Sequence, residues 1–135
     1  MEKKTESVRV VTLDSSIFVD YLREYGPAVL FFRSLDAEKR EGISFSAITE
    51  TELISGKSCE NSEIKNKTLQ MLNSFKKIEV TNRVAVAAGD ICRKYDVALP
   101  DGIIAATALI NKAELLTKNI KDFEKINGLN VKSPY

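Results

Sequence analysis

Four carboxylates stand where a short apolar run gives way to a helix, or where a helix opens. Asp14 follows VRVVTL, and Glu52 lies in SAITETEL just after Ile43-Ser44-Phe45-Ser46. Asp101 follows Leu99-Pro100, and Asp122 comes three residues after Asn119, beyond Leu115-Leu116-Thr117. In an open parallel α/β sheet, ligands sit outside the carboxyl ends of the strands. Adjacent crossovers would then bring these acids within a few ångströms of one another. Two unit charges ~4 Å apart repel by several kcal/mol at an effective dielectric near 20, so without a cation some would stay protonated at neutral pH. Three or four oxygen ligands and no imidazole suit Mg2+ or Mn2+ rather than Zn2+. Such a site can activate a water and stabilise a phosphoryl transition state.

Each acid taken singly also has a capping role. Asp14 can cap the helix before Ile17. Thr49-x-x-Glu52 is a capping-box pattern, Asp101 is placed to interact with a helix N-terminus, and Asn119-x-x-Asp122 resembles another cap. It is their joint occurrence at strand ends that favours a cation. Asp20 reads as a solvated residue on the outer face of the first helix.

The composition narrows the chemistry. The chain of 135 residues contains no histidine and two cysteines. That removes the commonest general base, the usual partner of a Ser or Cys nucleophile, and the nitrogen ligand of zinc. Cys59 and Cys92 are expected to be free thiols. The net charge is +1, from 20 Lys and Arg against 19 Asp and Glu, so any basic patch is local. No run reaches the ~18 apolar residues of a membrane span. The polar start, MEKKTES, has no apolar signal core, so a cytoplasmic location is expected.

The elements that must position the acids alternate strand and helix. Val8–Leu13 is a short β-branched run, as in a strand buried on both faces. Ile17, Phe18, Tyr21 and Leu22 recur at helical spacing up to Gly26-Pro27. A single helix is expected from Pro27 to Glu41, ended by Gly42. A strand over 43–46, a helix over 48–54, a surface helix over 62–77 and a strand over 78–80 follow. Helices over 83–95 and from Pro100 onward, a strand over 115–117, a helix over 122–126 and a strand over 129–132 complete the order. This pattern predicts one domain over 1–135 with a polar tail at 1–6. The fold class is a three-layer α/β/α sandwich around a central parallel sheet of about five strands.

The four junctions together resemble the motifs of the PIN-domain ribonucleases, and within them the VapC-type toxins of toxin–antitoxin pairs. LDSSIFVDYL, SAITETELISG, LPDGIIAATAL and LLTKNIKDFEKINGLNV match in order, from Val8 to Val131. The resemblance implies a Mg2+- or Mn2+-dependent endoribonuclease whose metal-holding acids are Asp14, Glu52, Asp101 and Asp122. Ser16, Thr49 and Asn119 would support them, with Asn119 a neutral helper in the slot nearest the strand. It also implies an RNA substrate, a homodimer, and an antitoxin partner whose tail fills the acidic groove. A housekeeping PIN nuclease and a non-catalytic PIN-like binding module are the alternatives, the latter favoured only by Asn119.

Lys57, Lys118, Lys121 and Lys125 could flank the pocket and hold RNA phosphates; a solvated lysine face is the competing reading. Other phosphate chemistries fit poorly. Gly56-Lys57-Ser58 lacks a phosphate-binding loop's first glycine, because position 51 is Thr51. A receiver domain needs an acidic pair after the first strand, where Ser15 and Ser16 follow Asp14. A dehalogenase-like phosphatase needs an Asp where Ser16 stands.

Overall fold

The computed structural model describes residues 10–135. Five parallel strands form one sheet: β1 (Val11–Leu13), β2 (Ile43–Ser46), β3 (Lys76–Ile78), β4 (Glu114–Leu116) and β5 (Val131–Lys132). Their order is β3-β2-β1-β4-β5. β1 is paired on both sides, Leu13 lying against Phe45 of β2 and Leu116 of β4. The chain builds outward from β1 to β3, then returns to the other flank of β1 to add β4 and β5. That reversal makes the end of β1 a topological switch point, where α/β sheets place their ligands. Asp14 is the next residue. Val8 and the polar tail at 1–6 lie outside the described residues.

The connecting helices are α1 (Ser15–Leu22), α2 (Gly26–Arg33), α3 (Ala37–Glu41), α4 (Ala47–Ile54), α5 (Ser62–Leu72), α6 (Asn82–Tyr95), α7 (Leu99–Ile110) and α8 (Ile120–Phe123). Successive strand residues face opposite sides of a sheet, and the core divides accordingly. Leu13, Phe45 and Leu116 pack with Ile17 and Phe18 of α1, Phe32 of α2 and Leu72 of α5. Leu115 packs with α6 and α7 and with Phe123 of α8. The sheet is thus covered on both faces, as the alternating pattern predicts. Phe18 is the centre of the first cluster, its ring 5.8 Å from Phe32, 5.6 Å from Phe45 and 5.9 Å from Phe75. In the second cluster, α6 and α7 meet through small side chains. A Cβ placed on Gly102 would lie 2.2 Å from Cys92 Sγ and 3.1 Å from the Ala88 carbonyl oxygen.

Several boundaries differ from those expected. The helix over 27–41 is two helices, because Asp36 takes the Lys39 N–H on its Oδ1 at 2.9 Å and starts α3 afresh. α5 stops at Leu72 rather than at 77, which frees Lys76 and Lys77 to enter β3. β4 opens at Glu114, and α8 begins at Ile120 rather than 122, with Asn119 in its N-cap position. Both cysteines are free thiols. No helix among the described residues is long and apolar enough to cross a membrane.

Candidate active site

Asp14 is 3% exposed at the end of the central strand. It occupies the N-cap position of α1, but its carboxylate makes no capping bond. Its Oδ2 accepts instead from Ser16 Oγ and from Thr117 Oγ1, each at 2.7 Å. The loop after β4 is tied to the same pair. The Lys118 N–H donates to Ser16 Oγ at 3.2 Å, and the Asn119 N–H to Thr117 Oγ1 at 2.9 Å. Ser16 thus donates to Asp14, the contact that the motif resemblance implies. Thr117 does the same; in the sequence it reads as the end of the apolar run Leu115-Leu116-Thr117, although β4 stops at Leu116.

Glu52 lies half-buried on α4. Its Oε1 accepts from Ser15 Oγ at 2.5 Å, and Ser15 Oγ is 2.9 Å from Thr49 Oγ1. The capping box expected at Thr49 and Glu52 is not formed. Ser46 is the N-cap residue and takes the Ile48 N–H at 3.1 Å, which leaves Thr49 inside the helix. Thr49 is fully buried. Ser15 escaped notice because its partners are 34 and 37 residues away, on a different helix.

Asp101 stands in the first turn of α7, behind Pro100. A helix N-terminus favours a carboxylate, yet the Asp101 carboxyl is pushed up from 3.8 to about 6. Burial is the largest cause, followed by the charges of Asp14, Asp122 and Glu52. Asp101 therefore feels all three of the other junction acids. Asp122 is exposed, in the first turn of α8. Asn119 is also exposed and makes no side-chain capping bond.

The donor set is one of hard oxygens. None of the four acids is paired with a lysine or arginine among the described residues; the ion pairs Lys77–Glu50 and Arg93–Asp90 lie elsewhere. Asp14 and Glu52 are held by neutral hydroxyls. A hydroxyl orients a carboxylate without cancelling its charge, whereas an ammonium or guanidinium would cancel it and repel a cation. Among the described residues, no three Asp, Glu or Cys side chains form a ready-made metal cage. A group of neighbouring acids is compatible with Mg2+, which keeps several waters and is usually held by one or two carboxylates plus substrate phosphates.

The lysines behave differently from one another. Lys57 and Lys121 are exposed. The Lys118 ammonium donates to the Tyr135 carbonyl oxygen at 2.7 Å and to Ser133 Oγ at 3.4 Å, and lies 4.6 Å from the centre of the Tyr135 ring. In this arrangement it points to Tyr135 rather than standing free for phosphate. Asp20 is not merely solvated: its Oδ2 accepts from the Tyr135 hydroxyl at 2.9 Å. That hydroxyl's pKa is raised, by burial first and then by Asp20.

The model of the PIN domain family matches residues 11–129. The fold is similar to a toxin–antitoxin complex from Klebsiella pneumoniae, with a TM-score of 0.76 and 27% identity over 93% of this chain and 98% of that one. It is also similar to FitAcB from Neisseria gonorrhoeae, with a TM-score of 0.73 and 25% identity over 93% and 98%. VapBC2 from Rickettsia felis, bound to a DNA fragment from its promoter, shares the fold with a TM-score of 0.76 and 23% identity over 92% and 98%. Among curated proteins, none matches the chain in sequence.

Proposed function

Because the chain belongs to the PIN domain family, we propose that it is a Mg2+- or Mn2+-dependent endoribonuclease and the VapC-like toxin of a toxin–antitoxin pair. The observation that carries this proposal is the setting of Asp14. It lies at the switch point of the sheet, almost fully buried, with its carboxylate supported, among the described residues, by the Ser16 and Thr117 hydroxyls. A charge so buried is costly unless something compensates it, and neutral donors leave its negative charge for a cation.

In this mechanism Asp14, Glu52, Asp101 and Asp122 would supply the oxygens that hold the ion. When bound, the ion supplies water activation and offsets charge on the transferring phosphoryl group. Ser16 and Thr117 fix the Asp14 carboxylate, and Ser15 fixes that of Glu52. Asp101, its carboxyl raised to about 6, would hold the ion in its ionised form, so loading is favoured above that pH. Asn119, exposed at the start of the helix that carries Asp122, would be its neutral helper. The exposed Lys57 and Lys121 would add positive charge for RNA phosphates.

The partner is an antitoxin protein. Support comes from a solved toxin–antitoxin complex that this fold matches at 27% identity. A homodimer in the cytoplasm completes the proposal.

The test is cleavage of total cellular RNA by the purified protein with Mn2+ or Mg2+, with products mapped at their ends. Asp14→Asn and Asp101→Asn are each expected to abolish cutting while the circular dichroism spectrum is unchanged. Wild-type cleavage by both variants, or cleavage unaffected by EDTA, would overturn the assignment.

A further inference from the structure

We propose that Ser15 relays the fixed position of Thr49 to Glu52 and so holds that carboxylate for cation binding, a role that rests on the metal-nuclease assignment above. Ser15 Oγ lies 2.5 Å from Glu52 Oε1 and 2.9 Å from Thr49 Oγ1. A hydroxyl carries one proton, and an ionised carboxylate only accepts. Ser15 Oγ is therefore the donor, facing both the Glu52 carboxylate and the Thr49 hydroxyl oxygen, and its one proton is shared between them.

Each link of the relay is anchored. Thr49 is fully buried, and a β-branched side chain in a helix has few rotamers open to it. Thr49 and Glu52 are three residues apart on α4 and so share one face of it. Ser15 stands in the first turn of α1, directly after Asp14. The relay thus joins the helix that follows the central strand to the helix that carries Glu52. A hydroxyl–carboxylate bond of this length is among the stronger hydrogen bonds.

The two buried or half-buried acids differ in redundancy. Asp14 has two hydroxyl donors on Oδ2, Ser16 and Thr117. Among the described residues, Glu52 has the Ser15 hydroxyl alone, and a longer side chain to hold. Of these two acids, Glu52 is accordingly the one with less support among the described residues. Ser15 is a positioning residue: it acts through Glu52 and needs no contact with RNA.

The test is Mn2+ binding to the purified full chain, measured by electron paramagnetic resonance with no RNA present. Ser15→Ala is expected to weaken Mn2+ binding by about 10–100-fold, the usual cost of losing a partner behind a metal ligand. The Mn2+ concentration for half-maximal cleavage should rise by the same factor, with kcat largely recovered at saturating Mn2+. Ser15→Thr keeps the hydroxyl and should restore binding. Thr49→Val, which is close to isosteric, should weaken binding in the same direction, and it carries the test if Ser15→Ala does not fold. Binding as tight as the parent's in Ser15→Ala, while Glu52→Gln binds weakly, overturns the relay. Parent-like binding in Glu52→Gln and Asp14→Asn overturns the metal assignment instead.

Discussion

Thr117 Oγ1 donates to Asp14 Oδ2 at 2.7 Å, a bond between side chains 103 residues apart. Both are at most 3% exposed, so no water stands in for the donor if it is removed. Thr117→Val keeps the shape and deletes the hydroxyl. The loss of a hydrogen bond to a charged group costs about 1.5–3 kcal/mol, which a metal-free thermal melt should show as a Tm lower by several degrees. Thr117→Ser should melt close to the parent. An unchanged Tm in Thr117→Val would mean that this bond contributes nothing to the fold.

Gly102 adjoins Asp101 in α7, where α6 comes closest. An added Cβ would lie 2.2 Å from Cys92 Sγ and 3.1 Å from the Ala88 carbonyl oxygen, so the thiol must turn aside and the carbonyl must give by a few tenths of an ångström. Overpacking of this kind costs about 1–3 kcal/mol, and the strain falls beside Asp101. Gly102→Ala should therefore lower both Tm and RNA cleavage. Cys92→Ala removes the nearer obstacle but leaves the carbonyl. Added to Gly102→Ala, it should restore part of the lost stability, a coupling that a double-mutant cycle measures. Strict additivity of the two substitutions would show that the helices do not meet as described.

The pH dependence has a definite sign. Asp101 is raised from 3.8 to about 6 in the folded chain, by burial first and then by Asp14, Asp122 and Glu52. A carboxyl raised on folding binds more protons folded than unfolded, so its stabilising contribution is complete below 3.8 and is lost as pH rises through about 6. In EDTA, Asp101→Asn should consequently melt above the parent at pH 7.5, and the gap should close towards pH 4. Added Mn2+ should raise the parent's Tm by linkage and the variant's less. A variant that melts below the parent at pH 7.5 in EDTA would contradict the crowding of acids around Asp101.

Much of the sheet is legible in the sequence where burial leaves an apolar run. Ile43–Ser46 is the same strand by both routes, because all four residues are buried. β3 is displaced by two residues from its expected place because it is an edge strand whose first two residues are exposed lysines. Nothing in its composition marks it as a strand; its pairing with β2 does. The break at Asp36 is a local signal outweighed by the helical pattern around it. Of the candidate site, Asp14, Glu52 and Asp101 stand out in the sequence because they lie at junctions. The roles of Ser15 and Thr117 are set by partners 37 and 103 residues away, and no local pattern encodes such a pairing. Lys118 shows the same limit in reverse. Its charge and position suit phosphate, but Tyr135, 17 residues later, takes its ammonium.

β1 is central in space but first in the chain, and its second neighbour, β4, begins only at Glu114. Chains emerge from the ribosome N-terminus first. Before β4 has been made, β1 has one open edge, and the Leu116 carbonyl that takes the Asp14 N–H does not yet exist. The setting of Asp14 is therefore completed only once residues 114–117 have been made. A nascent chain that has not reached Glu114 lacks the strand that flanks its candidate site. The order of assembly keeps the four junction acids apart until most of the domain exists.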